Sequence, residues 1–283
     1  MAHTCRDNWP PEPLTSGSLR LVVKMPSTLD YTTVTEVPGN LVTAEAIDQL
    51  WTRYRFAASL CEGKDVLEMA CGAGPGLTYL ASKARSVVGG DYTHHLLRVA
   101  RDQTAARVPL ARVDAQAIPF ASGAFDVVLL FEAVYYIPNP QRFVAEARRV
   151  LRPSGQLVLV TDNPKFPGFN PSPFSHRYFD SEELRDLLSS EGFDVAIRGA
   201  FPAPPPSARD VVVSMTKRAA VRLHLVPRTM RGKERLKRMF YGRLTPFPGT
   251  LHDGVGRYHS PLPVPEGEPS RSYRLLFAVG SRR

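Results

Sequence analysis

The sequence predicts an α/β fold with a doubly wound sheet, and three stretches carry that reading. Asp65 to Met69 reads as a short strand that ends in the glycine turn Gly72, Gly74, Gly76 and runs into a helix near Leu77. Ser86 to Gly90 reads as a second strand ending at Asp91, an acidic tip about 20 residues past the first glycine of that turn. Phe125 to Phe131 is an apolar run at every position but Asp126, the pattern of a parallel strand buried on both faces.

The remaining elements follow in order. Residues 1 to about 27 are rich in Pro, Ser and Thr and read as loose chain with one strand at Leu19 to Lys24. A helix is expected from Thr43 to about Leu60: Thr43 is an N-cap residue type, and Ile47, Leu50, Tyr54 and Ala58 recur at helical spacing. Further helices are expected at Thr93 to Arg101 and, with Phe143, Ala147, Val150 and Leu151 inward, at Pro140 to Leu151. Leu151 to Gln156 reads as a tight turn into a strand at Leu157 to Thr161. Asp180 or Ser181 caps another helix, with Glu183 placed for a capping box, before a strand at Phe193 to Arg198. An insertion follows, opened by Pro202 to Pro206. Val212, Met215, Ala219, Leu223 and Val226 form a helical stripe that Pro227 ends, and a basic helix is expected from Arg231 to Tyr241. Leu244 to Ser270 is irregular, and Tyr273 to Gly280 is the last strand.

The glycine turn is the chemical centre of this scheme. Without a Cβ, its glycines let a ligand lie against the backbone, and the helix start behind it favours nucleotide-like ligands. A dinucleotide fingerprint, G-x-G-x-x-G, would need glycine at position 77, which is Leu77. Glu68, just ahead of the turn, would repel a pyrophosphate and attract an ammonium group. The ligand is therefore expected to carry an amino-acid end.

Glu68-x-Ala70-Cys71-Gly72-x-Gly74-x-Gly76 resembles motif I of the class I S-adenosylmethionine (SAM) methyltransferases. A second match is Asp114-Ala115 followed by Ile118 to Val128, and a third is Glu146 to Gly155 (Glu-Ala-x-Arg-Val-Leu-Arg-Pro-x-Gly). The resemblance covers roughly residues 60 to 200. It implies a seven-stranded Rossmann-like sheet whose antiparallel seventh strand is Tyr273 to Gly280, with an N-terminal helical lid and a basic insertion before that strand. The corresponding division is lid 1–60, SAM-binding core 61–202, insertion 203–270 and terminal strand 271–283. The resemblance further implies SAM as cofactor and S-adenosylhomocysteine (SAH) as product. Glu68, Ala70, Gly72, Gly74 and Gly76 would hold the cofactor's amino-acid end, Asp91 its ribose, Tyr92 and Phe131 its flanks, and Asp114, Ala115 and Gln116 its adenine.

Composition narrows the rest. The 283-residue chain carries a formal net charge of +9, and residues 203–243 alone hold eleven Lys and Arg against two Asp and Glu. The excess is thus local. It fits a solvated helix face, recognition of an anionic small acceptor, nucleic acid, or an acidic membrane surface, and no RNA-binding motif accompanies it. The insertion would cap the acceptor site or make a homodimer contact. Cys5, Cys61 and Cys71 are too scattered for a disulfide framework or a zinc site, so no metal is expected. No apolar run has membrane-spanning length, the first residues do not read as a secretory signal, and a cytoplasmic location is expected.

The implied reaction is displacement at an already activated methyl group, for which alignment and a dry pocket matter most. A small acceptor is expected, methylated at O, N or C. The alternatives are an RNA or protein methyltransferase using the basic insertion, and a SAM-binding subunit without catalysis. The Asn-Pro-Pro-Tyr signature of amino-group enzymes is absent where Phe131-Glu132-Ala133-Val134 stands. His176 is the expected general base, with Tyr136 beside it; Asp162 is a further candidate. Tyr31, Arg53, Glu132 and Tyr135 are expected to bind the acceptor, with Tyr54 as another lid residue. His94 and His95 are expected to face solvent.

Overall fold

The computed structural model describes residues 30–203, 244–267 and 271–283. The strand expected at Leu19 to Lys24 and both helices expected in the basic insertion lie outside them.

The chain enters through β1 (Leu41–Val42) and α1 (Ala44–Cys61). Thr43 caps α1, its hydroxyl accepting the Ala46 N–H at 3.2 Å, and Ile47, Leu50, Tyr54 and Ala58 are buried along one face as their spacing predicts. Then come β2 (Asp65–Met69), α2 (Leu77–Ala81), β3 (Ser86–Asp91), α3 (His94–Gln103), β4 (Leu110–Arg112) and β5 (Phe125–Phe131). The second half holds α4 (Pro140–Val150), β6 (Leu151–Asp162), α5 (Ser181–Ser189), β7 (Phe193–Pro202), β8 (Thr245–Pro246), β9 (Leu262–Pro263) and β10 (Tyr273–Arg282). Asp180 and Glu183 form the expected capping box at α5. His95 is exposed and His94 half-buried.

The main sheet has the order β4-β3-β2-β5-β6-β10-β7-β9. The strands from β4 to β6 run parallel, and β10 lies antiparallel between β6 and β7. The order turns back on itself between β2 and β5, so ligands are expected beyond their carboxyl ends. Side chains alternate between the faces. Val127, Leu129 and Phe131 of β5 pack with α1 and α2, and Val128 and Leu130 pack with α4 and α5. The sheet is thus covered on both sides, as the apolar runs require.

Two expectations need correction. The sheet has eight strands, not seven, because Leu262–Pro263 adds to the edge against Arg198 and Gly199. The turn expected at Leu151 to Gln156 is a bulge inside β6: Leu151 pairs with Phe125 and Gln156 with Val127, so extra residues loop out between them. Ser154 takes φ +63° there, and a Cβ on Gly155 would lie 2.9 Å from the Arg152 carbonyl oxygen. Arg152 leaves the bulge to pair with Asp65 and Asp126 under the amino ends of β2 and β5, at 3.0 and 2.8 Å. The Arg-Pro-x-Gly run therefore ties strand starts together, far from the ligand end.

A second, two-stranded sheet joins the N-terminal segment to the chain after the insertion. Here β1 pairs antiparallel with β8, and Phe247 N–H donates to the Asn40 carbonyl at 2.7 Å. Nothing local in the sequence announces these two-residue strands, the second of which contains a proline.

Candidate active site

The carboxyl ends of β2, β3, β5 and β6 open on one cavity of about 550 Å³. Its wall includes Tyr31, Arg53, Glu68, Ala70, Gly72, Asp91, Tyr92, Asp114, Ala115, Gln116, Phe131, Glu132, Tyr135 and Tyr136. Three residues expected at the site are not in that wall: Gly74, Gly76 and His176.

At the β2 end the chain turns sharply, with Ala70 at φ +55° and Gly72 at φ +56°. Asp91 holds the turn. Its buried carboxylate accepts the N–H of Gly72 at 2.8 Å and of Thr93 at 2.7 Å, tying the glycine turn to the start of α3. Glu68 is 1 % exposed; one carboxyl oxygen accepts the Tyr54 hydroxyl, while Oε2 is buried without a hydrogen-bond partner. An ammonium group is the donor such an oxygen lacks, so the residues present fit the amino-acid end of SAM.

Gly74 and Gly76 stand outside the cavity wall and are packed against neighbouring side chains. A Cβ on Gly74 would stand 2.9 Å from Ala100 of α3 and from Leu77. One on Gly76 would stand 1.9 Å from the Tyr54 ring. They are glycines because α3 and the α1 tyrosine press on the turn.

The Asp114 loop is held from α4. Asp114 accepts the Gln116 N–H at 2.8 Å, Asn139 N–H donates to Gln116 Oε1 at 3.0 Å, and Arg142 Nε donates to the Gln116 carbonyl at 2.8 Å. Arg149 donates to the carbonyls of Ile118 and Phe120, each at 2.7 Å, and Glu146 accepts the Ile118 N–H at 2.8 Å. The Glu-Ala-x-Arg run thus fixes this loop while itself standing outside the cavity wall. Tyr92, on the neighbouring strand tip, packs edge-on to Tyr31 with ring centroids 6.3 Å apart.

The β5 end is acidic and aromatic. Glu132 sits at φ +50°, which aims its side chain at the cavity. Arg53 Nη1 meets its carboxylate at 3.1 Å, and the Tyr135 hydroxyl and Asp162 N–H both donate to Oε2 at 3.2 Å. Burial and the neighbouring Asp162 carboxylate hold the Glu132 carboxyl up at about 7, and burial raises Asp162 as well. Tyr31 tilts against Tyr136 at 5.2 Å, and the Tyr136 hydroxyl donates to Ser172 at 2.8 Å.

His176 is not placed as a base. Its N–H donates to the Tyr135 carbonyl at 2.7 Å, but the side chain is exposed outside the cavity wall. The loop after β6 anchors its backbone and turns the imidazole to solvent. Conversely, Phe247 and Thr35 line the cavity unannounced, and Thr35 lies directly over Gly72. Phe247 gets there through the β1–β8 pairing, which the sequence does not advertise.

Burial pushes the Glu68 carboxyl up to about 8, against the Tyr54 hydrogen bond and Arg53, both of which favour the charged form. The folded value lies above that of an unfolded chain, so this group's stabilising contribution is full below about pH 4 and is lost as pH rises towards 8. Thermal melting of the ligand-free protein should show stability falling between about pH 5 and 8, and Glu68→Gln should flatten that slope. An ammonium group docking on Glu68 favours its charged form. SAM binding near pH 7 should therefore release close to one proton, read by calorimetry in two buffers of different ionisation enthalpy.

The cysteines and metals add little. Cys61 and Cys71 are free and buried, and burial pushes the Cys61 thiol up to about 12. Among the described residues no group of three His, Cys, Asp or Glu could hold a metal ion, and no helix is long and apolar enough to cross a membrane.

Known proteins share this pattern. Residues 67–159 match the family described as Methyltransferase domain. A probable S-adenosylmethionine-dependent methyltransferase of Mycolicibacterium smegmatis is 32% identical over 182 residues, 60% of this chain and 68% of the relative. The O-methyltransferase cnsE of Penicillium expansum is 29% identical over 178 residues, 56% of this chain and 63% of the relative. Among solved structures, a SAM-dependent methyltransferase from Thermotoga maritima superposes with a TM-score of 0.55 at 15% identity, covering 85% of this chain and 92% of the other. With the orphaned Glu68 oxygen, the Asp91-clamped glycine turn and the reversal of strand order beneath them, these matches lead to one conclusion. The chain belongs to the SAM-dependent methyltransferases.

Proposed function

We propose that this chain moves the methyl group of SAM onto an oxygen, nitrogen or carbon atom of a small acceptor, leaving SAH. The observation that carries the reading is that a single cavity contains both the Glu68–Asp91–Asp114 wall and the Glu132–Tyr135–Tyr136 wall. In this reading the first wall holds the cofactor and the second the acceptor. SAM supplies a methyl group on a positively charged sulfur, already activated for displacement. The chain's own part is placement. Glu68 Oε2 accepts the ammonium, Asp91 takes the ribose hydroxyls, and the Asp114 loop takes the adenine edge. Holding two reactants in line can lower a barrier by about 7–11 kcal/mol without further chemistry.

Tyr31, Thr35 and Phe247 cover the cavity from the segment ahead of α1 and from the chain after the insertion, which supports their role as a lid that keeps water out. The relative named as an O-methyltransferase supports transfer to an oxygen atom. The test is to incubate the protein with methyl-labelled SAM and a cell extract split by size. Label in the low-molecular-mass fraction is expected. Label confined to RNA or protein would contradict the small-acceptor reading and point to the basic insertion.

A further inference from the structure

We infer that the acceptor is an uncharged aromatic hydroxyl compound, and that the Asp162–Glu132 carboxylate pair takes its proton. The inference rests on the methyl-transfer reading above and deepens it. Charge is the first ground. Apart from Glu68, Asp91 and Asp114, which the proposed function gives to the cofactor, the described residues of the cavity wall include Glu36, Glu132 and Asp162 against Arg53 as the single cation. An anionic acceptor, one expectation drawn from the basic insertion, would have to enter an acidic chamber. The described wall opposes it.

The second ground is the difference between the two carboxylates. Glu132 is held by Arg53, the Tyr135 hydroxyl and the Asp162 N–H. The Asp162 carboxylate lines the same cavity and, among the described residues, meets no hydrogen-bond donor. It sits at the carboxyl end of β6, one strand over from Glu132. Arg274 on β10 faces it, itself paired with Glu45 of α1 at 2.9 Å. Glu36, Tyr54, Tyr136 and Tyr178 are the further titratable groups whose charge acts on this cluster. Two neighbouring buried carboxyl groups, with Arg53 on Glu132 and Arg274 shared with Glu45, cannot both be comfortably charged, so the pair is poised to accept one proton near neutrality.

The third ground is shape. Tyr135 and Tyr136 meet at 4.5 Å, Tyr178 stacks on Tyr135 at 4.2 Å and Tyr31 joins Tyr136, so the cavity has an aromatic lining that suits a flat acceptor. A phenolic hydroxyl ionises within a few units of such a base, a match that suits general-base transfer, whereas an ammonium group would be held by the carboxylates in its unreactive form. The step balances as follows. The acceptor oxygen forms a bond to the methyl carbon as the carbon–sulfur bond breaks. The bonding pair stays on sulfur as a neutral thioether, and the hydroxyl proton passes to the carboxylate pair.

The experiment uses the full chain with SAM and three probes of one ring size: 2-naphthol, 2-naphthoate and 2-naphthylmethylamine. SAH affinity is measured by calorimetry on every protein. Methylation of 2-naphthol is expected, with kcat/KM rising as pH passes through about 7. Asp162→Asn and Glu132→Gln should each lower kcat about a hundredfold while SAH affinity holds within a few-fold. Asp162→Asn breaks no hydrogen bond of the described structure, and Glu132→Gln serves if that variant fails to fold. Preference for 2-naphthoate or the amine overturns the inference, as do undiminished variants. So does SAH binding without turnover of 2-naphthol. Absence of SAH binding by the unaltered protein would instead strike the methyl-transfer reading itself.

Discussion

Gly76→Ala should destabilise the protein by about 3 kcal/mol and abolish tight SAM binding. The new Cβ would stand 1.9 to 2.3 Å from three atoms of the Tyr54 ring. That ring cannot swing aside. It is buried, stands edge-on to Phe131 at 5.2 Å, and donates its hydroxyl to Glu68. Displacing it would also misplace the carboxylate proposed to hold the ammonium. Denaturant titration measures the first effect and calorimetry the second. Tyr54→Ala removes the ring, so the double variant should lose clearly less than the sum of the two single losses. Simple additivity would show that Gly76 matters for some other reason.

Asp91→Ala should weaken SAM binding at least about a hundredfold and cost roughly 2–4 kcal/mol of stability, because two buried N–H groups lose their acceptor. Those groups are Gly72 N–H and Thr93 N–H, so the glycine turn and the start of α3 come loose together. Asp91→Asn keeps one acceptor oxygen and should fall between the two. Unchanged SAM affinity in Asp91→Ala would remove Asp91 from the cofactor site.

These two variants mark where sequence reading succeeds and where it stops. β5 is legible end to end, since seven residues that are apolar at every position but Asp126 have few alternatives in a two-sided sheet. The Asp180–Glu183 cap and the Thr43 start of α1 are legible because capping acts over three residues. Gly76 reads as a ligand residue only until Tyr54, 22 positions earlier in the sequence, is seen against it; that contact is set by how α1 lies on the sheet. His176 fails for a similar reason. Its position after β6 puts it at the correct end of the sheet, but the direction of a side chain on a Pro- and Gly-rich loop has no local signature. Phe247 and β8 enter through a pairing of two-residue strands, too short to leave a period in the sequence. The bulge in β6 reads as a turn because Ser154-Gly155 is turn-like chemistry used within a strand.

The central claim is that the glycine turn holds SAM and not a dinucleotide. Isothermal titration of the purified chain with SAM, SAH and NAD tests it most directly. SAM and SAH should each bind at one site per chain, with proton release near pH 7, and NAD should give no heat of binding. Binding of NAD with none of SAM or SAH would contradict the account and return the turn to the dinucleotide enzymes.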